Sequence, residues 1–188
     1  DALSLADMLR INTSLKSLEI AHGDYLQDLG AEYIANALRV NKTLTKLHLK
    51  SCYIGPEGAA SLANALRINR TLTHLDLRYN SLGNEGFENL ADALERNFIL
   101  TRLDFTAHED LPLVNINRIN ALIARNKAFL AEAVRNFTEG NVLTARQSQT
   151  LLAHINSEDS EISRILPKEI RVRLNVKFSQ SMSDIRKS

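Results

Sequence analysis

The sequence predicts an α/β fold, a right-handed solenoid bent into a horseshoe arc with a C-terminal helical cap and extension. Three observations predict it. A leucine pattern, L-x-x-L-x-L, occurs at Leu15-Lys-Ser-Leu18-Glu-Ile20, Leu44-Thr-Lys-Leu47-His-Leu49 and Leu72-Thr-His-Leu75-Asp-Leu77, and again at Leu100-Thr-Arg-Leu103-Asp-Phe105. The copies are 29, 28 and 28 residues apart, and self-similarity at such a period marks a stacked-repeat architecture. The second observation lies between them: Gly58-Ala-Ala-Ser-Leu-Ala-Asn-Ala-Leu-Arg-Ile-Asn69 matches the segment from Gly30 to Asn41, and Gly86 to Asn97 is a third copy. The third is composition. Hydrophobic residues make up 44% of the 188-residue chain, yet aromatics are only 5% and tryptophan is absent, so aliphatic side chains must fill the core.

Each unit reads as a strand followed by a helix. The leucine pattern alternates as a strand does, sending Leu18, Leu47, Leu75 and Leu103 to one face. Leu62, Ala63, Leu66 and their counterparts recur at helical spacing and supply an apolar stripe for the sheet. Pro56 sits at a helix start, where its missing N–H does no harm. Gly55 and Gly83 mark the turns that lead into helices. Residues 1–14 superimpose on 58–71, with Asp1 at the place of Gly58, so the chain is expected to open inside a helix whose strand is missing. At least one upstream repeat or an N-terminal cap is then expected to precede it. Leu122-Ile-Ala-Arg-Asn126 repeats the helix ending of Asn41, Asn69 and Asn97. The organisation read from these signals is repeats over 1–126, the first incomplete, and a capping helix over 127–139 that covers the last strand's edge. A small, mainly helical extension over 140–178 and a flexible tail over 179–188 follow. In the extension, Thr144 to Ile155 reads as an amphipathic helix, 158–166 as a short helix ended by Pro167, and 170–178 as a helix or a strand.

The four strand segments, with Gly23, Cys52, Asn80 and His108 in the next slot, resemble leucine-rich repeats of the ribonuclease-inhibitor type, the long class with a full helix per unit. The resemblance covers about residues 1–126. It implies protein recognition, usually on the concave sheet face; members include enzyme inhibitors, innate immune receptors, actin regulators and effectors of intracellular bacteria. It also gives Cys52 and Asn80 a structural role, turned inward to bond loop backbone.

Alternation leaves three columns on the concave face: Ser17, Lys46, His74 and Arg102; Glu19, His48, Asp76 and Asp104; Ala21, Lys50, Arg78 and Thr106. Tyr25, Tyr53 and Tyr79 lie just beyond the strand ends. Tyrosine and arginine are enriched among binding hot spots, so the partner-binding residues read from the sequence are Lys46, His48, Lys50, Tyr53, His74, Asp76, Arg78, Tyr79, Arg102 and Asp104. Asp76 and Asp104 are neighbours of like charge, which a cationic partner would relieve. The competing reading is a solvated face of exposed ion pairs contributing about 0–1 kcal/mol each.

Other chemistry finds little support in the pattern. His48, His74, Asp76 and Asp104 have ligand chemistry, yet repeat registry alone aligns them, and no metal or cofactor is expected. Cys52 as a nucleophile is set against its buried slot. No phosphate-binding glycine loop or nucleophile elbow occurs, so no catalytic residue and no enzyme activity are expected. A net charge of +1 makes no case for nucleic acid, and no apolar run reaches the ~20 residues of a membrane span. A lone cysteine fits a reducing compartment, giving a cytoplasmic placement, or a host cytosol for a secreted effector. Residues 163–188 carry seven basic side chains against two acidic ones, net +5, a segment suited to an acidic partner or anionic lipid. The expected function is non-catalytic recognition of another protein by the curved sheet. The alternative is a substrate receptor of a ubiquitin-ligase assembly, with 140–188 recruiting the machinery; Leu166-Pro-Lys-Glu-Ile170 resembles the opening of an F-box.

Overall fold

The computed structural model describes residues 1–20, 26–106 and 113–157. The segments expected at 158–166, 170–178 and 179–188, together with Ala21, Gly23, Tyr25 and His108, lie outside these residues.

Among the described residues the chain alternates helix and strand: α1 (Ala2–Ile11), β1 (Ser17–Glu19), α2 (Gln27–Leu38), β2 (Lys46–His48), α3 (Pro56–Leu66), β3 (His74–Asp76), α4 (Gly83–Arg96), β4 (Arg102–Asp104), α5 (Leu113–Thr138) and α6 (Ala145–Ile155). The strands form one parallel sheet in chain order, with Leu18, Leu47, Leu75 and Leu103 opposite one another. Strands of three residues cannot hold a sheet by themselves. Their inward leucines do so by joining the buried faces of the helices, Leu38, Leu62, Leu66, Leu90 and Leu94 among them, in one continuous core. Each fully buried aliphatic side chain contributes about 1.5–3 kcal/mol.

Polar ladders fix the repeat spacing. Asn41, Asn69 and Asn97 are buried where helix turns to strand. Their amides donate to the carbonyls of Leu9, Leu38 and Leu66 in the preceding repeat at 2.7, 2.8 and 2.8 Å. Their side-chain oxygens accept from the backbone two and three residues ahead, as Asn69 does from Thr71 and Leu72 at 2.9 and 2.8 Å. Thr45 and Thr73 hydroxyls donate to the carbonyls of Lys16 and Thr45 at 2.9 and 3.0 Å. On the opposite edge the Asn80 side-chain oxygen accepts from Cys52 N and Ile54 N, both at 3.0 Å, and its amide donates to Leu49 O at 2.7 Å. Cys52 is buried, with its thiol 3.2 Å from the Ile20 carbonyl.

Helix contacts are close because small residues face one another. A Cβ on Gly58 would meet the Asp28 carboxylate at 2.5 Å and Ala31 at 3.1 Å. That carboxylate accepts from Gly55 N and Gly58 N at 2.6 and 2.9 Å. The acid of one repeat thus caps the next repeat's helix, whose own N-cap residue offers no side chain. Gly83 enters α4 at φ +61°, which glycine adopts without steric cost.

The helix ending expected at Asn126 does not occur, because α5 runs through it to Thr138. The Asn126 amide still donates to Asn97 O and Leu100 O at 2.9 and 2.7 Å. Its side-chain oxygen, however, accepts from the Arg125 guanidinium at 2.9 Å, and Lys127-Ala-Phe-Leu-Ala-Glu-Ala133 is composed of helix formers where the earlier units turn into a strand. Thr144 and Gln147 form a reciprocal cap on α6. Leu151 and Ile155 of α6 bury themselves with Leu130 of α5 in a second small cluster.

His154 ties α6 to the strand layer. Its Nδ1–H donates to Thr150 O at 2.8 Å, and Nε2 accepts from the Thr101 hydroxyl at 3.0 Å. Burial, opposed by the bond to Thr150, lowers its pKa to about 4. The unfolded chain therefore binds a proton at this histidine that the folded chain refuses between about pH 6.5 and 4. Stability is expected to fall by about 3 kcal/mol as pH drops through that window. The paired carboxylates of the sheet face are held below the usual 3.8, so their loss comes at lower pH. Urea unfolding at pH 7 and pH 4.5 measures the drop, and His154→Gln should remove most of it, leaving the share of His74, whose pKa burial also lowers.

Candidate functional site

The parallel register assembles the columns read from the sequence. Ser17, Lys46, His74 and Arg102 are aligned, as are Glu19, His48, Asp76 and Asp104. Lys50, Arg78 and Thr106 follow the strand ends of their repeats, while Ala21 lies outside the described residues.

Within these columns the polar groups are tied to one another. Arg78 clamps Asp76, with Nε at 2.9 and 3.1 Å from the two carboxylate oxygens and a terminal nitrogen at 2.6 Å. The Arg78 backbone N–H adds a bond at 3.0 Å. Arg102 Nε lies 2.8 Å from Asp104, and His74 Nε2–H donates to the same oxygen at 2.9 Å. His48 Nδ1 lies 3.8 Å from Asp76, and its ring meets that of His74 edge to face at 4.7 Å. Burial pushes both carboxyls up, but the hydrogen bonds from Arg78, and those from Arg102 and His74, overcome it and hold them low. Burial lowers the pKa of His74, and the charges of Arg102 and His48 add to that against the pull of Asp104.

Two expectations are corrected here. The Asp76 and Asp104 charges do not await a cationic partner, because each is neutralised by the arginine two residues away on its own chain. Asp76 is also not a surface group: its side chain is only 2% exposed, whereas that of Arg78 is 45% exposed. What this position offers outward is the Arg78 guanidinium, oriented by a buried carboxylate. Among the described residues no group of three or more His, Cys, Asp or Glu side chains is placed to hold a metal ion.

The tyrosines lie at the rim. Tyr53 and Tyr79 have φ of 58° and 57°, a left-handed conformation that costs a bulky residue about 1–2 kcal/mol. The loop enforces it. Both neighbours of Tyr53, Cys52 and Ile54, give their N–H groups to Asn80; Tyr79 N donates to the Thr106 hydroxyl at 2.9 Å. The rings are about 60% exposed in consequence, and Lys50 Nζ lies 5.1 Å from the Tyr79 centroid, a cation–π contact. Tyr25 lies outside the described residues. A different exposed set went unnoticed in the sequence: Ile11, Val40 and Ile68, each directly before a ladder asparagine. The signal available was the recurring Arg-Ile-Asn or Arg-Val-Asn at the ends of α1, α2 and α3, a slot that Arg96 fills in α4.

A stacked strand–helix solenoid with buried asparagine ladders defines a repeat protein. The leucine-rich-repeat family model matches residues 12–35, 40–63 and 69–91. These three segments are leucine-rich repeats; the match names the repeat and not the ribonuclease-inhibitor type. Among solved structures, leiomodin-1 actin-binding site 2 is similar at 26% identity and a TM-score of 0.63, covering 74% of this chain and 78% of that one. The tropomodulin C-terminal domain of Caenorhabditis elegans shares the fold at 18% identity and a TM-score of 0.51, over 75% of this chain and 99% of that one. No curated protein sequence matches the chain. No helix among the described residues is long and apolar enough to cross a membrane.

Proposed function

We propose that the chain is a non-catalytic protein-recognition module, that the open sheet face with its tyrosine rim is its contact surface, and that its partner is actin. The observation that carries the surface is preorganisation. Arg78 and Arg102 are held by acceptors on their own strands, and Tyr53 and Tyr79 are held outward by the loop backbone, so binding orders few additional side chains. Lys46, His48, Lys50 and His74 complete the contact set around the buried Asp76 and the half-buried Asp104. The similarity to leiomodin-1 actin-binding site 2, which extends over most of both chains, supports actin as the partner. It also agrees with a cytoplasmic setting. No comparison supports the ubiquitin-ligase or effector alternative, and much of the segment assigned to recruitment, residues 158–188, lies outside the described residues.

The test is cosedimentation of the full chain with filamentous actin, beside fluorescence anisotropy with monomeric actin. Saturable binding to either form is the expected result. Absence of binding to both at tens of micromolar actin would remove actin as the partner and leave the recognition surface without an assigned target.

A further inference from the structure

The asparagine ladder places one residue of each repeat in register along the edge where helices end. Asn41 reaches Leu9 O and Asn12 O at 2.7 and 3.3 Å, and Asn69 reaches Leu38 O and Asn41 O at 2.8 and 3.4 Å. The residues directly before Asn12, Asn41 and Asn69 are Ile11, Val40 and Ile68, at 81%, 55% and 43% exposure. Single exposed aliphatics are ordinary on a protein surface; three stacked in register are a stripe. Cations flank it. Arg10, paired with Asp7 at 3.9 Å, precedes Ile11, and the segments Arg39-Val40-Asn41-Lys42 and Arg67-Ile68-Asn69-Arg70 contain no acid. Basic residues at helix C-termini are favourable in any helix. That effect accounts for the arginines and gives no reason for exposed β-branched carbons between them.

We infer that this edge is a second docking site, separate from the sheet face, for an acidic amphipathic helix of another protein. Charge selects the occupant: a helix with carboxylates on both sides of an apolar ridge complements the stripe, whereas this chain's own residues 163–188, at net +5, do not. Spacing agrees. Adjacent strands lie about 5 Å apart and packed helices about 8–10 Å apart. Side chains at the junction therefore recur over one to two turns of a helix, at about 5.4 Å per turn. This is the helix-in-groove mode read through i, i+4 and i+7 anchors. A membrane surface would favour deeper-inserting Trp, Phe and Leu, which the stripe lacks.

The test uses the 188-residue chain and a labelled synthetic helix of about 18 residues with leucine at i, i+4, i+7 and i+11 and glutamate flanking them. Fluorescence anisotropy is expected to show saturable binding. Binding should weaken at least tenfold in Val40→Asp/Ile68→Asp, whose unfolding midpoint stays unchanged because both sites are exposed, and at least tenfold when lysine replaces the peptide's glutamates. Equal affinity in the double variant or for the lysine peptide would overturn the proposal. So would binding of the chain to phosphatidylserine vesicles in place of the peptide. Peptide binding that emerges only after Glu158, Asp159 and Glu161 are changed to lysine would assign the stripe to the chain itself and overturn it equally.

Discussion

Replacing Asn69 by alanine is expected to destabilise the protein by about 4 kcal/mol, although Asn69 is polar and serves the core through backbone hydrogen bonds. The side chain is buried and serves backbone groups of two repeats at once, donating to Leu38 O and accepting from Thr71 N and Leu72 N. Alanine leaves all three groups without that partner. Each stranded buried group costs about 1–3 kcal/mol, and partial hydration lowers the sum. The interface between neighbouring repeats loosens as well, and stability in a stacked array depends on those interfaces. Urea unfolding followed by circular dichroism measures the loss. The control is Asn64→Ala, on the exposed side of α3, expected to change stability by less than about 0.5 kcal/mol. A loss below about 1 kcal/mol for Asn69→Ala would show that the ladder is incidental to the stacking.

Charge reversal at Asp76 is the second large effect, with an expected loss of about 3–5 kcal/mol. A lysine there is forced into a buried position facing Arg78 and beside His48, where like charges meet without a carboxylate between them. The cost arises because the lysine ammonium takes the place of a buried carboxylate and finds no counter-charge there, whereas Arg78 is 45% exposed and reaches water. Removing both partners behaves differently. Asp76→Leu combined with Arg78→Leu should recover most of the stability, since apolar groups of similar size replace a pair whose desolvation cost offsets much of its attraction. The comparison of single and double variants by urea unfolding isolates the pair. If Asp76→Lys unfolds at the wild-type denaturant concentration, the carboxylate is a surface group after all.

The repeat, its register and its columns were legible because they depend on periodicity alone. Leu47 and Leu75 at period two fix which face Lys46, His48, His74 and Asp76 share. Depth was not legible. Alternation assigns Asp76 to the open face, yet Arg78 lies over it, and nothing in the spacing shows that a residue two positions on turns back as a lid. Helix continuation through Asn126 was hidden for a similar reason. Five asparagines, Asn12, Asn41, Asn69, Asn97 and Asn126, occupy equivalent positions, and what decides between turning and continuing is the sequence that follows: a strand-forming Thr-Leu-Thr after Asn69 and alanine-rich helix after Asn126. The left-handed backbone of Tyr53 and Tyr79 also escaped. Asparagine or glycine would announce that conformation, whereas here hydrogen bonds from neighbouring residues impose it on an aromatic. Asp28 as a cap for the next helix, 27 residues ahead at Gly55, is a contact between repeats that local capping rules do not reach.

That imposed conformation provides the cleanest measurement of the central claim, that the sheet face with its tyrosine rim is the recognition surface. Asparagine accepts the left-handed region more readily than tyrosine, so Tyr53→Asn/Tyr79→Asn should keep or slightly raise the unfolding midpoint while removing both exposed rings. Loss of a recognition hot spot costs about 2 kcal/mol or more, roughly thirty-fold in affinity. The measurement is the affinity of the double variant for actin, made beside its thermal unfolding. An affinity at least thirty-fold weaker with an undiminished melting temperature is the predicted result. Wild-type affinity in a variant that remains folded would contradict it and move the binding surface away from the sheet face.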